Sequence, residues 1–306
     1  MANERRPLCA EVSRADAEPM AATASRVDRW ILLEYRGLWN SEPLPGSTLG
    51  EELKAHLRRQ AAALPRTKLL FIRRPERRRD PGLRVFFGTS PERGERFHAL
   101  DLENYDELLD LDLSSALAGD SPWPGGPLDH PLLLVCTHGK HDRCCAKYGR
   151  PLYEALCEQA EEHWVWHSSH LGGDRFAGNV VVLPQGLYFG RAEGPRAWTL
   201  LDEYLAGRIY LDGYRGRSCY PFPVQAAEQA IRVATGSLGI ADLTLAGSER
   251  QDEVLRVRFS IVRTGELYEV DVRAVPGELT HLTCNTVELR RPRHFVAGEP
   301  RVAAAR

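Results

Sequence analysis

Leu132-Leu-Leu-Val-Cys136-Thr-His-Gly-Lys-His-Asp-Arg-Cys-Cys145-Ala-Lys-Tyr-Gly-Arg150-Pro151 reads as a buried strand, a polar loop and the start of a helix. Leu132 to Val135 are apolar without alternation, as a strand covered on both faces requires. Pro151 suits a first helical turn, so the helix is expected over Arg150 to His163. A short strand follows at Trp164 to His167. Asn179 to Leu183 and Leu187 to Arg191 flank Pro184-Gln185-Gly186, a tight-turn signal. Trp198 to Leu205 reads as a closing helix.

The same order lies upstream. Arg29 to Tyr35 reads as a buried strand. Leu49 to Leu64 reads as a helix, with Ser47 or Thr48 as N-cap and Glu51 and Glu52 in its first turn. Lys68 to Arg73 is a strand, Arg84 to Gly88 and Phe97 to Leu102 a hairpin, and Tyr105 to Leu117 a weaker helix. Ser121 to Pro131, rich in Pro and Gly, links the two parts. A parallel βαβ unit, a hairpin and a last helix make one thioredoxin-like layer. The expected fold class is therefore α/β (α+β): two tandem thioredoxin-like units, at residues 1–120 and 128–212, and a small α+β domain at residues 215–306. In that last part a helix is expected at Val224 to Ala234, and strands at Asp242 to Leu245, Val254 to Val262 and Leu267 to Val275. The first ~25 residues are expected to be a loosely packed arm, and the tail after Pro292 to be frayed.

Composition narrows the function. Of 306 residues, 27% are charged and the formal net charge is −2, a balance that suits neither a nucleic-acid binder nor a membrane-surface protein. No apolar run approaches the roughly 20 residues of a membrane helix, and no targeting segment stands out, so a cytoplasmic protein is expected. The seven cysteines are odd in number and unevenly spread, which argues against a disulfide framework. Three of them, Cys136, Cys144 and Cys145, crowd one loop, a pattern that favours metal or redox chemistry. The dense basic stretch Arg73 to Asp80 reads as a solvated loop, with an acidic partner as the alternative.

Cys136 and Cys145 have eight residues between them. After the next strand comes Ser169-His170-Leu-Gly-Gly-Asp174-Arg-Phe-Ala-Gly, in which three residues separate His170 from Asp174. Both loops leave the carboxyl ends of strands, where α/β folds expose ligands, and the paired glycines permit close backbone approach. Two sulfurs from one loop and two donors from the next could clamp a two-iron rhomb. Neither spacing is the Cys-x-x-Cys of a dithiol oxidoreductase or zinc finger.

Cys136-Thr-His-Gly, Asp142-Arg-Cys-Cys145, Ser169-His170-Leu-Gly-Gly and Arg175-Phe-Ala-Gly-Asn179 resemble the sucrase/ferredoxin-like family, over about Cys9 to Gly190. The resemblance implies a thioredoxin-like ferredoxin that binds a [2Fe–2S] cluster through a Cys-x8-Cys loop and a His-x3-His loop. Carried over, Cys136 and Cys145 hold one iron and His170 the other. The second histidine of the pattern falls on Asp174, a harder ligand. Either Asp174 is the fourth ligand, or Cys144, His167 or His138 substitutes, or the cluster is lost. The implied role is an electron carrier rather than a catalyst, with a redox partner protein and with no nucleic acid or membrane. Nothing in the residues supports a sucrase.

Bland readings apply to other candidates. His138 and His141 are expected to be surface or packing residues, and His163 and His167 core. Cys157 is expected in the core, Cys9, Cys219 and Cys284 to be isolated structural thiols, and Asp142 with Arg143 to form a loop ion pair. Lys140 and Arg175 are placed to modulate local charge. The rival classes are a thiol redox enzyme, a zinc-stabilised binding module and a cluster-free scaffold.

Overall fold

The computed structural model describes residues 7–303. Helix α1 (Cys9–Ala15) precedes β1 (Arg29–Glu34), α2 (Glu51–Ala63), β2 (Thr67–Arg73), β3 (Leu83–Thr89), β4 (Arg96–Leu102) and α3 (Leu113–Ala118). After the two-residue β5 (Gly126–Pro127) come β6 (Leu132–Cys136), α4 (Arg143–Cys157), β7 (Val165–Ser168), β8 (Val180–Leu183), β9 (Leu187–Phe189), α5 (Pro195–Leu205) and β10 (Tyr214–Arg217). The last part holds α6 (Phe222–Thr235), β11 (Leu243–Gln251), β12 (Val254–Ile261), β13 (Leu267–Pro276), β14 (Arg293–Ala297) and β15 (Arg301–Val302).

The continuous apolar runs are the inner strands of one ten-stranded sheet, ordered β10-β9-β8-β6-β7-β2-β1-β3-β4-β5. Its halves repeat one pattern. β1 lies between a parallel β2 and an antiparallel β3, and β6 between a parallel β7 and an antiparallel β8. The halves meet where β2 pairs antiparallel with β7. On one face, α2 and α3 cover Ile31, Leu33, Phe71, Val85 and Phe87, while α4 and α5 cover Leu133, Val135, Val180 and Val182.

The other face folds on itself. Trp30 on β1 and Tyr188 on β9 stand five strands apart in the sheet, yet their ring centroids are 6.3 Å apart. Flat strands at about 4.8 Å spacing would put them more than 20 Å apart, so the sheet curls. It encloses a shared core that includes Trp30, Leu32, Ile72, Phe86, Leu134, Trp166 and Tyr188. A second, antiparallel sheet, β11-β12-β13-β14 with β15 also on β13, packs against α6. Within α6, Arg232 donates to Glu228 at 3.0 and 3.1 Å, with both side chains 1% exposed. No helix among the described residues is long and apolar enough to cross a membrane.

Several expectations need correction. α4 begins at Arg143, well before Arg150, because Asp142 caps it: its Oδ1 accepts the Cys144 N–H at 2.8 Å. Pro151 is therefore interior to the helix. The first arm is not loose among its described residues. Cys9, Ala10, Ser13, Ala22 and Ala24 are buried, and the Thr23 and Val27 N–H groups donate to the Arg215 and Ser218 carbonyls, each at 3.0 Å. Small side chains let that backbone lie close, so its low hydropathy misleads; residues 1–6 lie outside the described part. Nor is the tail frayed, since β14 and β15 both pair with β13. Residues 304–306 are again outside the described part. Cys157 is exposed rather than core, at the open end of α4. Arg73 to Asp80 is only partly solvated: Arg74 is buried, and Arg77 pairs with the buried Glu34 at 3.4 Å.

Candidate metal centre

β6 and β7 run parallel and end together, with Cys136 in register with Ser168. From these two ends the chain turns into the two loops singled out above. Cys136 is the last residue of β6, and Cys145 lies in the first turn of α4. The helix can approach because residue 149 is glycine: a Cβ there would run into the Cys136 carbonyl oxygen. His170 follows β7, and Asp174 opens a short 3-10 turn, Asp174–Phe176.

Between His170 and Asp174 the backbone passes through Gly172 and Gly173, with φ of +108° and +82°. A Cβ at Gly172 would meet Ser25 Oγ at 2.5 Å, and one at Gly173 would collide with the Arg215 guanidinium. Arg215 is buried behind this loop. It donates to the Gly172 carbonyl at 2.9 Å, to Asn179 Oδ1 at 2.8 Å and to the Thr23 carbonyl at 2.6 Å. Asn179 Nδ2 donates to the Gly173 carbonyl at 2.8 Å, and Lys68 Nζ to the Leu171 carbonyl at 2.7 Å. The loop's carbonyls are thus satisfied from behind, which leaves its side chains free to face forward.

Four donors converge there. Cys136 Sγ, Cys145 Sγ and a His170 ring nitrogen lie within 4.8 Å of one another. Cys145 Sγ is 3.3 Å from Asp174 Oδ1 and 4.0 Å from His170 Nδ1, and His170 Nδ1 is 3.1 Å from Asp174 Oδ1. A fifth side chain joins them. His141 Nε2 is 3.8 Å from Asp174 Oδ2, and its ring stacks on His170 with centroids 3.8 Å apart.

The charges are coupled. The Cys145 thiol, donating to Cys136, holds the Cys136 thiol well below its ordinary range against burial, and His170 adds to this. Cys145 is correspondingly pushed up by Cys136 and by burial. Burial opposes a charge on His170, but the hydrogen bond to Asp174 and the neighbouring Cys136 outweigh it and raise the imidazole to about 9. Burial would also raise Asp174, yet His170 holds it below the usual carboxylate range.

The three substitutes considered for Asp174 lie elsewhere. His138 Nε2 bonds the Asn40 carbonyl at 2.7 Å. His167 stacks on Tyr153 with centroids 3.6 Å apart, and burial with Arg73 and Arg150 nearby depresses it to about 4. Cys144 faces away from Cys145, toward Cys9 and Cys284. Asp142 caps α4 instead of pairing with Arg143. Arg175 is engaged by Glu18 at 2.7 Å, and Lys140 is exposed. His141, read from the sequence as a surface or packing residue, is the addition. Its signal was its position inside the Cys136–Cys145 loop, where a side chain shares the fate of the ligands that flank it.

The profile of the sucrase/ferredoxin-like family matches residues 20–216. Three curated yeast relatives are each named altered inheritance of mitochondria protein 32. That of Debaryomyces hansenii is 30% identical over 95 residues, 28% of this chain and 35% of the relative. That of Eremothecium gossypii is 30% identical over 106 residues, 30% and 34% of the two chains. That of Meyerozyma guilliermondii is 32% identical over 96 residues, 28% and 34%. The chain therefore spans about a third of the length of these relatives. No solved structure matches. The profile covers both halves of the curled sheet nearly through β10, including every donor just described: the chain belongs to the sucrase/ferredoxin-like family.

Proposed function

We propose that this protein is an iron–sulfur electron carrier holding one [2Fe–2S] cluster, with Cys136 and Cys145 on one iron and His170 and Asp174 on the other. One observation carries the reading: at two adjacent strand ends Cys136 and Cys145 group with His170, and Asp174 lies 3.3 Å from Cys145 and 3.1 Å from His170. The donor set fits the group, since thiolates and imidazole both suit iron and His141 offers a further imidazole beside Asp174. Bound there, the cluster would supply one-electron redox chemistry. The chain's own residues position and tune. Arg215, Asn179 and Lys68 fix the loop from behind, and the His170–Asp174 pair holds a proton that metal binding must release. Each half of the curled sheet is, in this reading, a thioredoxin-like unit, and only the second carries ligands. The partner would be a redox protein in the cytoplasm, meeting the groove next to Thr137 that Arg36, Arg73 and Arg150 line together with Glu76 and Glu154.

Anaerobic purification with iron and sulfide analysis and EPR of the reduced protein tests this. A red-brown protein with a rhombic signal, bleached by Cys136→Ser or Cys145→Ser, is expected. An iron-free anaerobic protein refutes it. A second reading, a zinc-stabilised binding module, draws on the compactness of the donors. The 3.1, 3.3 and 4.0 Å separations among Asp174, Cys145 and His170 bracket the edges of one tetrahedral ion with ligands at about 2.0–2.3 Å. It would give a colourless protein whose zinc is lost in the same two variants. A thiol redox enzyme is disfavoured by burial, because Cys136 and Cys145 are each 1% exposed and exchange needs access.

A further inference from the structure

Three of the five cysteines that the ferredoxin reading leaves unused meet in space. Cys9 comes from α1, Cys144 from the first turn of α4, and Cys284 from the long loop between β13 and β14. Their sulfurs form a near-equilateral triangle: Cys9 to Cys144 is 3.6 Å, Cys144 to Cys284 3.4 Å and Cys284 to Cys9 3.5 Å. Asp142 completes the group, with Oδ2 3.8 Å from Cys9 Sγ, and all four ligand atoms lie within 4.8 Å of one another. Cys9, Cys144 and Asp142 are at most 2% exposed.

We propose that Cys9, Cys144, Cys284 and Asp142 form a second metal site, taking a single tetrahedral zinc ion that ties the first arm and the 277–292 loop to the start of α4. The spacing points to one ion. A tetrahedral zinc with sulfurs at about 2.3 Å has sulfur–sulfur edges of about 3.8 Å, a few tenths longer than those seen. The group is already set for anionic sulfur: the Cys9 N–H donates to Cys284 Sγ at 3.4 Å. Asp142 is oriented by two backbone donors, the Cys144 N–H at 2.8 Å on Oδ1 and the Cys284 N–H at 2.6 Å on Oδ2. Among the described residues, no lysine or arginine makes an ion pair with Asp142. A buried carboxylate beside two buried thiols and a half-buried third has no compensating charge unless a cation supplies it.

The 277–292 loop explains why an ion is useful there. Its Leu279, Val287 and Leu289 are about half exposed or more, so it has little apolar anchorage. It is fixed at its tip by the Cys284 contacts and by Asn285 Nδ2 donating to the His141 carbonyl. The cysteines are 135 and 140 residues apart along the chain, so local sequence cannot hold them together. The site lies back to back with the candidate cluster, since Cys144 and Cys145 are neighbours that face opposite ways.

The test counts zinc and iron separately in the full chain, purified anaerobically and offered zinc. About one zinc per chain is expected, falling about tenfold in Cys9→Ser and in Cys284→Ser but retained in Cys136→Ser. Zinc that survives both of the first two substitutions, or that leaves with Cys136, overturns the proposal. So does a disulfide joining any two of Cys9, Cys144 and Cys284 in the purified chain. Because a serine variant could fail to fold, alkylation of the wild-type chain gives a second readout. The thiols of Cys9, Cys144 and Cys284 should be protected with zinc and react after chelation; equal rates with and without zinc sink the idea. An iron-free protein that still binds zinc here would remove the electron-carrier reading and leave this site standing.

Discussion

Gly149→Ala probes the contact that brings Cys145 to Cys136. In a solvated helix this exchange stabilises by up to about 1 kcal/mol. Here the added Cβ would collide with the Cys136 carbonyl oxygen, a backbone atom that also belongs to the central strand. Ordinary carbon–oxygen contact is about 3.3–3.6 Å, so α4 must retreat from β6 by about 1 Å. Overpacking of that kind costs about 1–3 kcal/mol, which outweighs the propensity gain. The net expectation is a loss of about 1–2 kcal/mol, read as a lower urea midpoint at unchanged slope. The same retreat displaces Cys145 by more than the ~0.5 Å that a preorganised ligand set tolerates. Metal content should therefore fall with stability. A variant as stable as the wild type, with full metal, would show that α4 is not seated against β6 as described.

Asp174→His is expected to retain the cluster and raise its reduction potential, because imidazole replaces an anionic ligand; a lower potential by protein-film voltammetry would count against Asp174 as a ligand. In metal-free protein the His170 pKa of about 9 lies above the ~6.5 of an unfolded chain. Its stabilisation is therefore complete below pH ~6.5 and is lost as pH rises through about 9, a loss on the order of 3 kcal/mol; urea midpoints that do not fall over that window, or fall equally in His170→Gln, would contradict it. Glu228→Gln should cost about 3–5 kcal/mol by stranding the buried Arg232 charge, and adding Arg232→Met should recover much of that in a double-mutant cycle.

The strand order within each half was legible because the inner strands are short continuous apolar runs between turn signals; the β2–β7 pairing that joins the halves into one curled sheet was not. Nor was the start of α4. Arg143-Cys-Cys-Ala-Lys carries little apolar periodicity, Pro151 mimics a first-turn proline, and the true signal was the cap at Asp142. The loops holding Cys136, Cys145, His170 and Asp174 stood out by local spacing, and the structure brings those four together. His141 was marked in the sequence only by its place inside the Cys136–Cys145 loop; its stacking on His170 is a tertiary contact. The grouping of Cys9 and Cys284 with Cys144 is set wholly by tertiary packing. Each looked isolated because its partners lie more than a hundred residues away.

On the proposed reading only the second half recruits metal, and the two halves differ in a way that accounts for it. Glu34 ends β1 and Cys136 ends β6, equivalent places beside the carboxyl end of a parallel partner. Both bury an ionisable side chain. In the first half the chain answers it internally: Glu34 accepts from Arg36 at 3.1 Å, Arg77 at 3.4 Å and the Arg84 N–H at 2.9 Å. In the second half the ion-pair partners of Asp174 among the described residues are His141 and His170. His170, raised to about 9, is a charged partner at neutral pH, but unlike a guanidinium it can give up its proton and become a metal ligand. An anionic pocket furnished with imidazole in place of guanidinium can exchange protons for a cation, whereas one sealed by arginines cannot. The chemistry proposed for the end of β6 would thus follow from which cations the chain withholds as much as from which ligands it supplies.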